Sequence, residues 1–74
     1  MSEPERIVVL AGSLAQFRMW CRLAGHDPRS RHITYARDVD ALRDRRGARV
    51  VRYGTWHLRP DARALDNLAQ ALEA

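Results

Sequence analysis

Apolar residues in this chain fall into short segments separated by glycine, proline and charge, and the period of each segment predicts an element. Arg6 to Ala11 (Arg-Ile-Val-Val-Leu-Ala) is a continuous β-branched run closed by Gly12. Such a run suits a strand covered on both faces, the central strand of a parallel sheet. Ser13 then offers a hydroxyl N-cap, and Leu14, Phe17, Cys21 and Ala24 recur at helical spacing, with Trp20 beside them and Arg18 and Arg22 opposite. Gly25 supplies the stop, and Pro28 in the polar loop His26 to Arg31 blocks continuation.

A second strand is expected over His32 to Arg37, where Ile33 and Tyr35 alternate with Thr34 and Ala36 as at a sheet edge. Asp38 is placed to cap a two-turn helix running to Arg46, with Val39 and Leu42 as inward anchors and Gly47 as its end. Ala48 to Tyr53 reads as a third, half-exposed strand, with Val51 and Tyr53 on one side and Val50 with Arg49 and Arg52 on the other. After the loop Thr55 to Pro60, Asp61 is expected to cap a last helix carrying Leu65, Leu68 and Leu72.

Strand and helix thus alternate as β-α-β-α-β-α, which predicts an α/β fold with a three-stranded parallel sheet. Right-handed crossovers around the most apolar strand give the order 2-1-3, half of a Rossmann-like doubly wound fold. The alternative fold completes the sheet across a dimer, since two open edges invite pairing with another copy. The 74 residues leave room for one domain, 6–74, after a short polar start, 1–5, expected to be mobile around Pro4. So small a chain buries only about 60% of its unfolded surface, and self-association would add to a marginal core.

The chain is 46% hydrophobic and 30% charged, a globular balance, and no apolar run reaches the roughly 18 residues of a membrane helix. Cys21 is the single cysteine, zinc spacing is absent, and no charged-then-apolar leader precedes residue 6. A reducing, cytoplasmic location is therefore the expectation, with no metal and no cofactor.

All thirteen basic residues are arginine, against nine acidic, for a net charge of +4. Total exclusion of lysine, beside eleven alanines, is what G+C-rich coding DNA produces, so composition alone explains part of the excess. Its distribution says more. Arg29 to Arg52 holds eight arginines against Asp38, Asp40 and Asp44, a local +5, whereas Arg63 faces Asp61, Asp66 and Glu73 in the tail. Arg29, Arg31, Arg43, Arg45, Arg46, Arg49 and Arg52 are accordingly candidate phosphate contacts.

The stretches Val8 to Ser13, Tyr35-Ala36, Leu42 to Gly47 and Val50 to Arg59 carry a pattern, Leu-Ala-Gly-Ser, Tyr-Ala, Leu-Arg-x-x-Arg-Gly and Val-Val-Arg-x-Gly-Thr-Trp. It resembles that of small uncharacterised α/β proteins encoded by actinobacterial phages. The resemblance spans most of the domain, and Gly54-Thr55-Trp56 is its most specific part; the polar loop His26 to Arg31 is longer than the group's Pro-Arg turn. It implies a phage origin and a site of action in an actinobacterial cytoplasm. No activity or catalytic residue comes with it.

In an open parallel sheet ligands bind beyond the carboxyl ends of the strands. Here that rim is expected to carry Gly12, Ser13, Arg37, Asp38, Gly54, Thr55, Trp56 and Arg59. Gly12-Ser13 at the start of a helix is a turn of the kind that holds phosphate, but the full G-x-G-x-x-G and the P-loop are both missing, and a glycine turn with a serine cap needs no ligand. Trp56 either stacks on a base or partner or folds back over the small core, and Arg59 either joins the rim or stands in solvent. Ser13, His57 and Asp38 would share one end of the sheet, yet the nucleophile elbow is absent, so no catalytic residue is assigned. Met19, Trp20 and Leu23 form a candidate apolar interface on the first helix. The function expected is a non-enzymatic interaction module that binds itself or a host or phage protein. The alternative is a nucleic-acid or nucleotide-binding protein using the Arg29 to Arg52 segment and the Trp56 loop.

Overall fold

The structure, a computed structural model, describes residues 5–43, 45 and 47–73. Three strands, β1 (Ile7–Ala11), β2 (Ile33–Tyr35) and β3 (Arg49–Tyr53), form one parallel sheet in the order β2-β1-β3. Helix α1 (Leu14–Ala24) connects β1 to β2, and α2 (Ala62–Glu73) follows β3. Of the expected polar start, 1–5, residues 1–4 lie outside the described residues, as do Asp44, Arg46 and Ala74.

Every residue of β1 is buried, as its unbroken apolar run requires of a middle strand. Val8 and Leu10 point to one face and pack with Leu42, Leu65, Ala69 and Leu72. Ile7, Val9 and Ala11 point to the other and pack with Phe17, Cys21 and Ile33. Each face thus has its own small core, one under α2 and one under α1. On β3 the same alternation puts Val50 and Arg52 on the α2 face and Val51 and Tyr53 on the α1 face. Arg49 shares the parity of Val51, not that of Val50 as expected, because side chains alternate at every residue of a strand.

Both ends of α1 match the sequence. Ser13 Oγ accepts from the Gln16 N–H at 3.2 Å. At the other end Gly25 takes φ 77°, and the Gly25 and His26 N–H groups donate to Arg22 and Cys21 O, a Schellman cap. The buried face is narrower than the periodicity suggested: Phe17 and Cys21 are covered, whereas Leu14 and Ala24 are exposed. In α2 the covered positions are Leu65, Ala69 and Leu72, with Leu68 half-buried.

The expected middle helix is a single 3-10 turn, Asp40–Leu42. Asp38 does cap it, Oδ1 accepting from Ala41 N at 2.9 Å, and Leu42 is fully buried. At Arg43 the backbone turns extended, with ψ 141°, and the helix stops. Two apolar anchors in a charged segment give too little packing to sustain a helix so far below the length at which helices persist alone. The loop after β3 contains a second 3-10 turn, Trp56–Leu58. Asp61 opens α2 through its main-chain carbonyl, which accepts from Leu65 N at 2.9 Å, but its carboxylate is engaged by Arg59.

Candidate functional site

At the carboxyl ends of the strands, where α/β sheets hold ligands, this chain has placed two of its own side chains. The first is Gln16, three residues into α1. Its Oε1 accepts from Gly12 N at 2.8 Å and from Thr55 N at 3.0 Å, and its Nε2 donates to Thr55 Oγ1 at 3.0 Å. Both main-chain N–H groups lie at the crevice between β1 and β3, where the strand order reverses and open α/β sheets bind their ligands. A neutral carboxamide satisfies them instead. The fit also explains two glycines. A Cβ at Gly12 would meet Gln16 Oε1 at 2.6 Å and collide with Thr55 Oγ1, and one at Gly54, where φ is 67°, would collide with the same Gln16 amide.

The second is Arg59, whose side chain is only 13% exposed. Nη1 donates to Ala11 O at 3.1 Å and Ala36 O at 2.6 Å, and Nη2 donates to Arg37 O at 2.6 Å. Nε and Nη2 donate to the two carboxylate oxygens of Asp61, at 3.0 and 3.1 Å. All five guanidinium N–H groups are thereby used, three of them on carbonyls at the ends of β1 and β2. The guanidinium also lies 5.9 Å from the Tyr35 ring centroid. Arg59 is therefore a clamp across the top of the sheet, not a solvated loop residue.

The rest of the expected rim divides. Gly12, Ser13, Gly54 and Thr55 meet around Gln16. Trp56 is half-buried, folded back on the α2-side core with Val50 and Leu68 and under the Arg52 guanidinium, 5.9 Å from its centroid. Arg37 and Asp38 are exposed and 3.9 Å apart. Arg37 also borders an open groove of about 480 Å³ between the start of α1 and the β2 edge, with Leu14, Thr34, Tyr35 and Ala41. Among the described residues no hydrogen bond joins Ser13, His57 and Asp38: the serine and the aspartate cap their own turns. No group of three or more His, Cys, Asp or Glu side chains that could hold a metal ion occurs among the described residues.

The candidate phosphate contacts also separate. Arg52 is held by Asp66 at 2.9 Å and Glu73 at 3.4 Å, Arg43 pairs with Asp40 at 3.1 Å, and Arg45 is half-buried, its Nε without a partner among the described residues. Arg46 lies outside the described residues. Arg29, Arg31 and Arg49 are exposed, as is Arg6. Strand register puts Arg6, Arg31 and Arg49 at the amino end of the sheet, opposite the rim, and the loop bearing Arg29 leads into that end.

On α1, Met19 is 46% and Leu23 70% exposed, while Trp20 is half-buried, stacks on His26 at 5.4 Å and packs against the α1-side core. Cys21 beneath them is fully buried, which, with Asp27 nearby, pushes its thiol pKa above the ordinary value. It is a packing residue. No helix among the described residues is long and apolar enough to cross a membrane.

Gln16 is a rim residue that does not stand out in the sequence pattern. Its signal was present: Ser13-Leu14-Ala15-Gln16 is a Ser-x-x-Gln capping box. The glutamine reaches one residue further back than the motif specifies, and across to Thr55, a contact between residues 39 positions apart. No family model, curated protein or solved structure matches the chain.

Proposed function

We infer that the chain acts as a small non-catalytic interaction module, working through contacts with a second copy or another protein. One observation carries this reading: the rim that serves ligands in open α/β sheets is occupied by the chain's own side chains, Gln16 in the crevice between β1 and β3 and Arg59 across the ends of β1 and β2, each bonded to the backbone. Among what is left uncovered, an open sheet edge along β3 and the apolar Met19 and Leu23 on α1 are suited to protein contacts. The sequence resemblance supports an accessory role in a phage of actinobacteria.

The test is sedimentation velocity with light scattering over a wide dilution series, alongside thermal melts with phosphate and mononucleotides. Concentration-dependent mass with no ligand-induced rise in melting temperature is the expected result. A monomer at every concentration, stabilised by a mononucleotide, would reverse the reading.

A second reading is favoured by a different observation, the exposed Arg6, Arg29, Arg31 and Arg49 at or next to the amino end of the sheet. A nucleic acid bound there would be held through phosphates, and its affinity would fall linearly with the logarithm of salt concentration. Anisotropy of labelled single- and double-stranded DNA measures it; no binding even at low salt removes it.

A further inference from the structure

The two edges of the sheet differ in how many main-chain groups they leave unpaired. In β1 the alternation is fixed by Ile7 N donating to His32 O and by Arg49 N donating to Arg6 O, so odd residues of β1 face β2 and even residues face β3. On β2 the outward groups belong to Ile33 and Tyr35, and half of them are already used: Ile33 N donates to Ser30 O, and Tyr35 O accepts from Arg37 N. On β3 the outward groups belong to Val50 and Arg52, and none has a main-chain partner among the described residues. Val50, Val51 and Tyr53 are also only half-buried, although β1 beside them is fully covered on both faces. This edge is five residues long, rich in strand formers and uncapped.

We propose that β3 pairs antiparallel with β3 of a second copy about a two-fold axis at Val51, joining two sheets into one of six strands. The proposal rests on the interaction-module reading and names its partner. In this register Val50 of each copy stands opposite Arg52 of the other as a hydrogen-bonded pair, so all the free N–H and C=O groups of Val50 and Arg52 are satisfied. Arg49 falls opposite Tyr53, a cation against an aromatic ring, and Val51 opposite Val51. No arginine faces an arginine. The Arg52 guanidinium is held over α2 by Asp66 and Glu73, so only its stem lies beside the incoming Val50.

Neighbouring registers fail on residues already described. Centring on Val50 brings Arg52 opposite Ala48, whose N–H already donates to Arg45 O, and leaves a carbonyl unpaired. Centring on Arg49 sets two guanidinium groups side by side, and centring on Arg52 pairs Val50 with Gly54, whose φ of 67° takes the backbone out of the strand. Like charges directly opposite destabilise a strand pair.

The test combines two variants of the full chain with the dilution series. Val51→Cys places two thiols on a non-hydrogen-bonded pair, with Cα atoms about 4.5 Å apart, a separation a disulfide spans. Mild oxidation is expected to cross-link it. Arg49→Cys is the control, since its two copies would lie about 13 Å apart across the axis; the native Cys21 is fully buried. Val50→Pro removes an N–H that makes no bond among the described residues, so circular dichroism is expected to be unchanged while the dimer dissociation constant rises about tenfold or more.

A wild-type monomer throughout the series overturns both this pairing and self-association. A dimer in which Val51→Cys cross-links no faster than Arg49→Cys overturns this interface and leaves self-association standing. Should Val50→Pro fail to fold, the cross-linking comparison decides alone.

Discussion

The two ends of the sheet use the same kind of side chain in opposite ways. At the carboxyl end, Arg59 is nearly buried and every N–H it has is bonded, mostly to main-chain carbonyls. At the amino end, Arg6, Arg31 and Arg49 are exposed. The difference follows from what each end must satisfy. Strands that end beneath tight turns leave carbonyls and N–H groups that are costly to bury unpaired. Arg59 meets the carbonyls of Ala11, Ala36 and Arg37, and Gln16 meets the N–H groups of Gly12 and Thr55. Arginine number in a sequence therefore says little about partners until it is known which arginines the fold has already used.

The largest expected effect is at the clamp. Arg59→Ala strips three carbonyls and the Asp61 carboxylate of their donor in a largely buried place, and is expected to cost about 3 kcal/mol or more. In a domain this small that is a large share of total stability, and urea denaturation followed by circular dichroism would show it as a sharply lowered midpoint. Arg59→Lys should recover little, because an ammonium cannot span carbonyls and a carboxylate with a planar fork. A loss below about 0.5 kcal/mol, the ordinary surface value, would mean that the two ends do not differ as described.

The glutamine plug comes next. Gly54→Ala carries two penalties, a left-handed backbone of about 1–2 kcal/mol and a collision with the Gln16 amide. In a Gln16→Ala background only the backbone part should remain, so the double variant is expected to be more stable than the sum of the two losses. Gln16→Ala alone should cost about 0.5–1.5 kcal/mol, since the N–H groups of Gly12 and Thr55 lose a fixed acceptor but gain access to water. It should also uncover an anion site: phosphate raises the melting temperature of this variant and not that of the wild type. Equal phosphate responses would show that the carboxamide does not block the crevice.

The sheet was predictable because its signals are local or compositional. The run Ile7 to Ala11 marks a strand with no exposed face, and Ser13, Gly25, Gly47 and Gly54 punctuate the chain at the turns they form. From Asp38 onward the local signals overstate the helix, because capping chemistry is local while the persistence of a helix depends on packing; Leu42 anchors one turn and Arg43 is already extended. The site was harder for a related reason. Gln16 to Thr55 and Arg59 to Ala11 are contacts between distant residues, and no local pattern distinguishes a polar side chain aimed at another strand's end from one in water.

The smallest effect is expected at the opposite end of the sheet, and it sharpens the contrast because its readout is not stability. Arg29→Ala and Arg31→Ala remove exposed guanidinium groups from a loop whose turn is held by Asp27, its Oδ1 accepting from Arg29 N at 2.9 Å and its O from Ser30 N at 3.0 Å. Neither bond involves an arginine side chain, so each variant should keep its denaturation midpoint to within about 0.5 kcal/mol. If DNA is bound at this end, each substitution should lower the salt slope of binding by about one phosphate contact while leaving the fold intact. A substantial loss of stability in either variant would show that the amino end, too, is held together by its arginines, and the division of labour between the two ends would fail.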